Sequence, residues 1–112
     1  MKLWKRRWKS LVNSKKLLSL IGLAKRARKV VSGEFSTEKS VKSGKSHMVI
    51  VSEEASDNTK KMFRNMCTYY KVPYFEFGNK EELGHILGKQ MRASLAVIDP
   101  NFSEALLKHF AD

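Results

Sequence analysis

The feature that most constrains the fold is an alternation. Four short apolar runs, at 30–31, 47–52 (HMVIVS), 72–77 and 95–98, are each separated by one segment of helical periodicity. Near-continuous apolar runs this short, bounded by turn residues, read as strands buried on both faces. Strands alternating with helices through short connections predict an α/β chain. The expectation is a three-layer α/β/α sandwich around a small mixed sheet of about four strands.

The helical segments carry their own boundaries. Asn13 or Ser14 can cap a helix over 14–29, in which Leu17, Leu20, Ile21, Ala24 and Ala27 form one apolar stripe. A short helix is expected from Ser36 or Thr37 to Ser43, stopped by Gly44. Ser56 or Asp57 opens a helix to about Lys71, with Met62, Phe63, Met66, Cys67 and Tyr70 turned inward. Asn79 followed by Glu82 is a capping-box pattern for a helix ending at Gly88. Pro100 and Asn101 start the last helix, which carries Phe102, Leu106, Leu107 and Phe110. Residues 1–12 form a basic, tryptophan-containing extension ahead of a single domain over 13–112. A helix there would gather Trp4, Trp8 and Leu11 on one side, suited to a membrane surface, a partner or stacked bases. The alternative is a loosely docked tail.

At 112 residues the chain is long enough to bury one core without metal or disulfide staples. No apolar run approaches the roughly 20 residues of a membrane span. The N-terminus lacks the uncharged core and small-residue cleavage site of a signal peptide. A single cysteine, Cys67, cannot form an internal disulfide and suits a reducing, cytoplasmic setting.

The net charge is +11, and its distribution is lopsided. Residues 1–33 contain 11 of the 22 basic residues and no acid, so the remainder is neutral. Lys25, Arg26, Arg28 and Lys29 cluster where the first helix should end. Cations favour a helix C-terminus, which explains part of the cluster. An acid-free segment of this length is also the electrostatic footprint of a nucleic-acid binder.

No catalytic constellation is present. His47, His85 and His109 are scattered, no spacing suits a metal, and no glycine-rich loop cradles a nucleotide phosphate. No cofactor and no metal are expected. Cys67 falls on an apolar helix face, as core thiols do. The remaining candidate is the turn from Val31 to Lys39. There a glycine permits close backbone approach, and the following helix start offers free N–H groups to phosphate. Ser36 and Thr37 can add hydroxyl donors, and Lys39 a charge toward the same side.

Gly33 followed six residues later by Lys39, then "SVKSGKSHMVIVSEEAS", "CTYYKVPY", "NKEELGHILGK" and "SLAVID", resembles the ribosomal-protein family of L-seven-Ae and L-thirty-e, over about residues 14–110. The resemblance is nearest to small bacterial RNA-binding members. It implies a ligand: the kink-turn, an RNA helix–bulge–helix bent by tandem sheared G·A pairs. By this resemblance Gly33 lets the turn meet RNA, with Glu34 beside it. Lys39 reaches the G·A pairs and nearby phosphates, and Lys29, with Lys25 and Arg28 near it, contacts phosphate. The loop from Lys89 to Ser94 supplies Lys89, Arg92 and Met91, the last packing on an extruded base. Glu53 and Glu54 form an acidic turn beside the site. Many members have Asn-Glu where this chain has Phe35-Ser36. Phenylalanine cannot read guanine by hydrogen bonds, so Phe35 is expected either to stack on a base or to tuck beneath the turn.

These readings together predict a monomeric, non-catalytic protein that binds structured RNA, ribosomal or other non-coding, in or beside the translation machinery. Two other classes remain open: a recognition module for a separate RNA-modifying enzyme, and a membrane-surface or docking adaptor built on residues 1–12.

Overall fold

The structure, a computed structural model, describes the backbone of residues 3–111 and the side chains of residues 14–111. In chain order the elements are α1 (Leu3–Arg26), β1 (Val30–Ser32), α2 (Glu34–Lys42), β2 (Met48–Val51), α3 (Asp57–Tyr70), β3 (Tyr74–Glu76), α4 (Lys80–Ile86), β4 (Ser94–Val97) and α5 (Pro100–Ala111). The alternation expected from the apolar runs is present throughout. No helix among the described residues is long and apolar enough to cross a membrane.

The four strands form one mixed sheet in the order β1-β4-β2-β3. β4 is antiparallel to both its neighbours, while β2 and β3 are parallel. β1, β2 and β3 therefore share one direction and β4 opposes them. The sheet thus has a Gly33 end, where the first three strands finish and β4 begins, and a Lys29 end, where they begin and β4 finishes.

Side-chain alternation divides the core into two layers. Met48, Ile50, Leu95 and Val97 point to one face, where Leu17 and Ile21 of α1, Leu83 of α4 and Leu106 of α5 cover them. Val49, Val51 and Ala96 point to the other, where Val41 of α2 and Phe63 and Cys67 of α3 cover them. This is the expected α/β/α sandwich. On α3, Phe63 and Cys67 are buried as expected, but Tyr70 is 40% exposed and does not belong to the inward face.

Several boundaries differ from the sequence expectation. α1 is one continuous helix from Leu3, so neither Asn13 nor Ser14 starts it. The side chains of Trp4, Trp8 and Leu11 lie outside the described residues. α2 begins at Glu34, with Gly33 rather than a serine or threonine at its N-cap and no side-chain cap. By contrast Ser56 accepts from the Thr59 N–H, and Asn79 with Glu82 forms the capping box in full.

Four helices close with the same pair of backbone bonds, in which a left-handed residue donates back three positions and its successor donates back five. In α2 and α4 the left-handed residue is Gly44 or Gly88. In α1 it is Arg28 (φ 63°), with Lys29 N–H reaching Ala24 O at 2.8 Å. In α3 it is Lys71 (φ 60°), with Val72 N–H reaching Cys67 O at 2.8 Å. A side chain in this conformation costs about 1–2 kcal/mol relative to glycine.

The α3 layer also carries an alkaline sensitivity. Burial pushes the Cys67 thiol up from 9.0 to about 11. Burial likewise raises the Tyr74 phenol, helped by its hydrogen bond to Glu76 Oε2 at 2.8 Å. Above pH 9 the unfolded chain releases the thiol proton while the folded chain keeps it, so stability falls as pH rises toward 11. We expect a loss of about 1–3 kcal/mol across that window, read by urea unfolding, and a shallower loss in Cys67→Ala.

Candidate nucleic-acid interface

The turn between β1 and α2 is built on Gly33, whose φ of 93° and ψ of 157° lie in a region essentially restricted to glycine. Its N–H donates to Ser94 O (3.0 Å) across the sheet edge, and its carbonyl receives the Thr37 N–H (3.0 Å) as the first helical bond. The N–H groups of Glu34, Phe35 and Ser36 are therefore the open donors at the helix start. Phe35 stands 77% exposed, which settles its two expected placements in favour of the surface. A Cβ at Gly33 would meet only Arg92 Nε, at 4.0 Å, so space does not forbid a side chain there; backbone conformation does. Gly33→Ala should lose about 1–3 kcal/mol of stability, measured by urea unfolding, through strain in the turn alone.

The loop between α4 and β4 meets this turn edge to edge. Arg92 Nε donates to Ser32 Oγ (3.2 Å), its guanidinium also donates to Met91 O (2.8 Å), and its N–H donates to Lys80 O (3.1 Å). Arg92 is thus the tie between the two segments as well as a charge. Met91, beside it, is 57% exposed. The loop after β2 joins the same platform: Ser52 N–H donates to Ala93 O, Ser52 Oγ to Gly78 O, and Glu54 Oε1 accepts from the Lys80 N–H at the start of α4. Four connections at the Gly33 end are therefore cross-tied, which holds their exposed side chains in place without a ligand.

The structure brings together Gly33, Met91 and Arg92, with Glu34, Phe35 and Ser36 following Gly33 at the start of α2; Lys39 lies further along α2 and Lys89 at the start of the facing loop. Glu53 and Glu54 lie at this end too, where the resemblance put them. Thr37 is a correction. Its side chain is fully buried and its hydroxyl accepts from Ser94 Oγ (3.4 Å), so it packs α2 onto β4 and offers nothing outward. Lys25, Arg28 and Lys29 are a second correction to the expected geometry. They leave α1 at the opposite end of β1, with Lys29 O accepting from Ile98 N–H (2.8 Å), roughly 13 Å along the strand from Gly33. Sequence reasoning missed Ser32, which receives Arg92, and Gly84, where α4 touches the backbone of the 88–93 loop. Only Gly84 had a visible signal, a glycine inside a helical pattern.

Among the described residues the ion pairs are Lys42–Glu38, Lys60–Glu76 and Arg64–Glu76. Lys39, Lys89 and Arg92 take part in none of them, so the cations of the two facing segments are not neutralised by a carboxylate contact. Among the described residues no group of three or more His, Cys, Asp or Glu side chains could hold a metal.

This arrangement has relatives. An RNA-binding protein named YlxQ from Bacillus subtilis (strain 168) is 43% identical over 88 residues, spanning 79% of this chain and 88% of that protein. The large ribosomal subunit protein eL8 of Thermoplasma volcanium is 30% identical over 96 residues, spanning 85% of this chain and 79% of its own. A solved structure of a protein of unknown function from Bacillus halodurans C superposes with a TM-score of 0.83 at 38% identity, covering 87% of this chain and 98% of that one. These relatives are named as RNA-binding and ribosomal proteins where a role is named. Residues 15–107 match the model of the Ribosomal protein L7Ae/L30e/S12e/Gadd45 family, and the chain belongs to that family.

Proposed function

We propose that this protein binds structured RNA of the kink-turn type, gripping the bend between the turn at Gly33–Lys39 and the loop at Lys89–Arg92. The single observation that carries the reading is the Arg92–Ser32 tie, which sets two segments side by side with one exposed apolar residue each, Phe35 and Met91. Exposed aromatic and flexible apolar side chains suit bases splayed from a bulge. The open N–H groups at the α2 start and the unpaired Lys39 and Lys89 suit the phosphates that flank it. With Phe35-Ser36 at the guanine-reading positions, stacking replaces part of the hydrogen-bond readout. The RNA is ribosomal or another non-coding RNA of a bacterial cytoplasm, met by a monomer of this chain. Residues 13–112 act as the binding domain, and residues 1–12 add basic charge ahead of it.

A gel-shift series at fixed salt, with a kink-turn RNA against the same helix lacking its G·A pairs, tests the proposal. Wild type should prefer the kinked RNA. Lys39→Ala should reduce that preference by about 1–3 kcal/mol, or 5- to 150-fold, while its affinity for the straight helix changes far less. Equal affinity of wild type for both RNAs would sink the reading.

A further inference from the structure

A second group of cations among the described residues does not sit at the two-segment site. It gathers at the Lys29 end of the sheet. Adjacent along that edge are Lys29 before β1, Asp99 after β4, Lys45 and His47 before β2, and Lys71 before β3. Their backbones are registered by Ile98 N–H to Lys29 O (2.8 Å), His47 N–H to Val97 O (2.8 Å) and Val49 N–H to Pro73 O (2.9 Å). Lys29, Lys45, His47 and Lys71 are all exposed, as is Arg28. Three strand spacings make this a row roughly 14 Å long. Asp99 has a carboxylate oxygen committed to the Phe102 N–H (3.0 Å) at the start of α5. None of the ion pairs among the described residues involves the cations of the row.

The C-termini of α1, α2 and α3 all point to this edge, and their dipoles attract some positive charge. That does not explain which positions carry it. The left-handed closing residue is glycine in α2 and α4 but Arg28 in α1 and Lys71 in α3. These are the two non-glycine residues with positive φ among the described residues, and both are cations at the same edge. A dipole would be served as well by a lysine one residue away, leaving glycine in the strained position. Backbone strain held at exposed cations marks a site where charge has to stand at that place.

We propose that the Lys29 end is a second RNA-binding face, which takes the phosphate backbone of a duplex segment independently of the kink-binding segments at the opposite end of the sheet. The row is long enough to meet more than one phosphate of a duplex backbone. The protein then holds two RNA segments at once, one read for its bend and one held by charge alone. The proposal rests on RNA being the ligand, but not on the kink-turn reading.

The test uses the double variant Arg28→Gly/Lys71→Gly, which removes two charges and relaxes two strained residues. Its melting temperature should equal or exceed that of wild type. Binding of a plain RNA duplex is then measured as a function of salt, alongside the kinked and straight pair above. We expect the duplex salt slope to fall by about 2, one for each lost phosphate contact, with the preference for kinked over straight RNA intact. An unchanged slope, no duplex binding by wild type, or loss of the kink preference in the variant would each overturn the second face. Absence of any kink preference in wild type would overturn the kink-turn reading alone, and the duplex slope would still decide this one.

Discussion

Gly84→Ala should destabilise the protein by about 1–3 kcal/mol, although alanine is the better helix former by about 1 kcal/mol. Gly84 lies in α4 where the 88–93 loop folds back over the helix, and Lys89 N–H closes onto Gly84 O at 2.7 Å. An added Cβ would stand 2.3 Å from the Gln90 carbonyl oxygen and 2.8 Å from Met91 Cα. Both are backbone atoms, so no rotamer change relieves the contact. Either α4 or the loop packed on it must shift. Because that loop carries Met91 and Arg92, RNA affinity should fall further than global unfolding accounts for. Gly22→Ala is the internal control. Its Cβ would meet Ile86 Cγ1 and Cδ1 at 3.2 and 3.3 Å, which are side-chain atoms able to turn aside. That variant should stay within about 1 kcal/mol of wild type in urea unfolding.

Gly84 also shows where sequence reading stops. A glycine inside a helical pattern is a general sign of close packing, but what packs on it depends on the return path of a loop, which no local pattern encodes. Local rules worked where one element decides the outcome. The Asn79–Glu82 box forms because both partners lie within one helical turn. Met48–Val51 is buried on both faces because its four apolar residues can be covered only from two sides. The rules failed where two preferences compete. Ser36 and Thr37 are better caps than glycine by propensity, yet α2 starts at Glu34, because Gly33 alone can make the turn and still donate to Ser94. Thr37 is then drawn inward against Ser94, and a candidate RNA donor becomes a packing residue.

The charge cluster was legible as composition and misleading as geometry. Lys29 and Gly33 are four positions apart, which on a helix would place them together. β1 between them is extended and spans the sheet, so it carries them to opposite ends. The left-handed residues that close α1 and α3 were not foreseen either, because arginine and lysine give no signal of a conformation that glycine announces.

Phe63→Ala should be the most damaging single truncation in the α2–α3 layer, costing about 3–5 kcal/mol. Phe63 is fully buried, and the other buried residues of its cluster are small: Val41, Val49, Val51, Ala55, Cys67 and Ala96, with Met62, Met66 and Tyr74 packed against them from the half-buried rim. Of these only the rim methionines are long and flexible enough to move into the space of a lost ring, so part of the cavity persists. A chain of this length has a total stability of about 6–17 kcal/mol, so the variant should fold at 25 °C with a clearly lowered urea midpoint. Phe63→Leu keeps most of the volume and should lose less than half as much. The consequence for function follows from what the layer supports. Val41 anchors α2 against this cluster, and α2 presents Phe35 and Lys39. A loosened α2 should weaken RNA binding even under conditions where the variant is folded. Conversely, RNA that binds only the folded form should restore part of the loss. At a hundred times its dissociation constant it adds about 2.7 kcal/mol, enough to raise the melting temperature of Phe63→Ala measurably. A kinked RNA that leaves that temperature unmoved at saturating concentration would show that it does not bind the folded form in preference to the unfolded one, and the kink-turn reading would go with it.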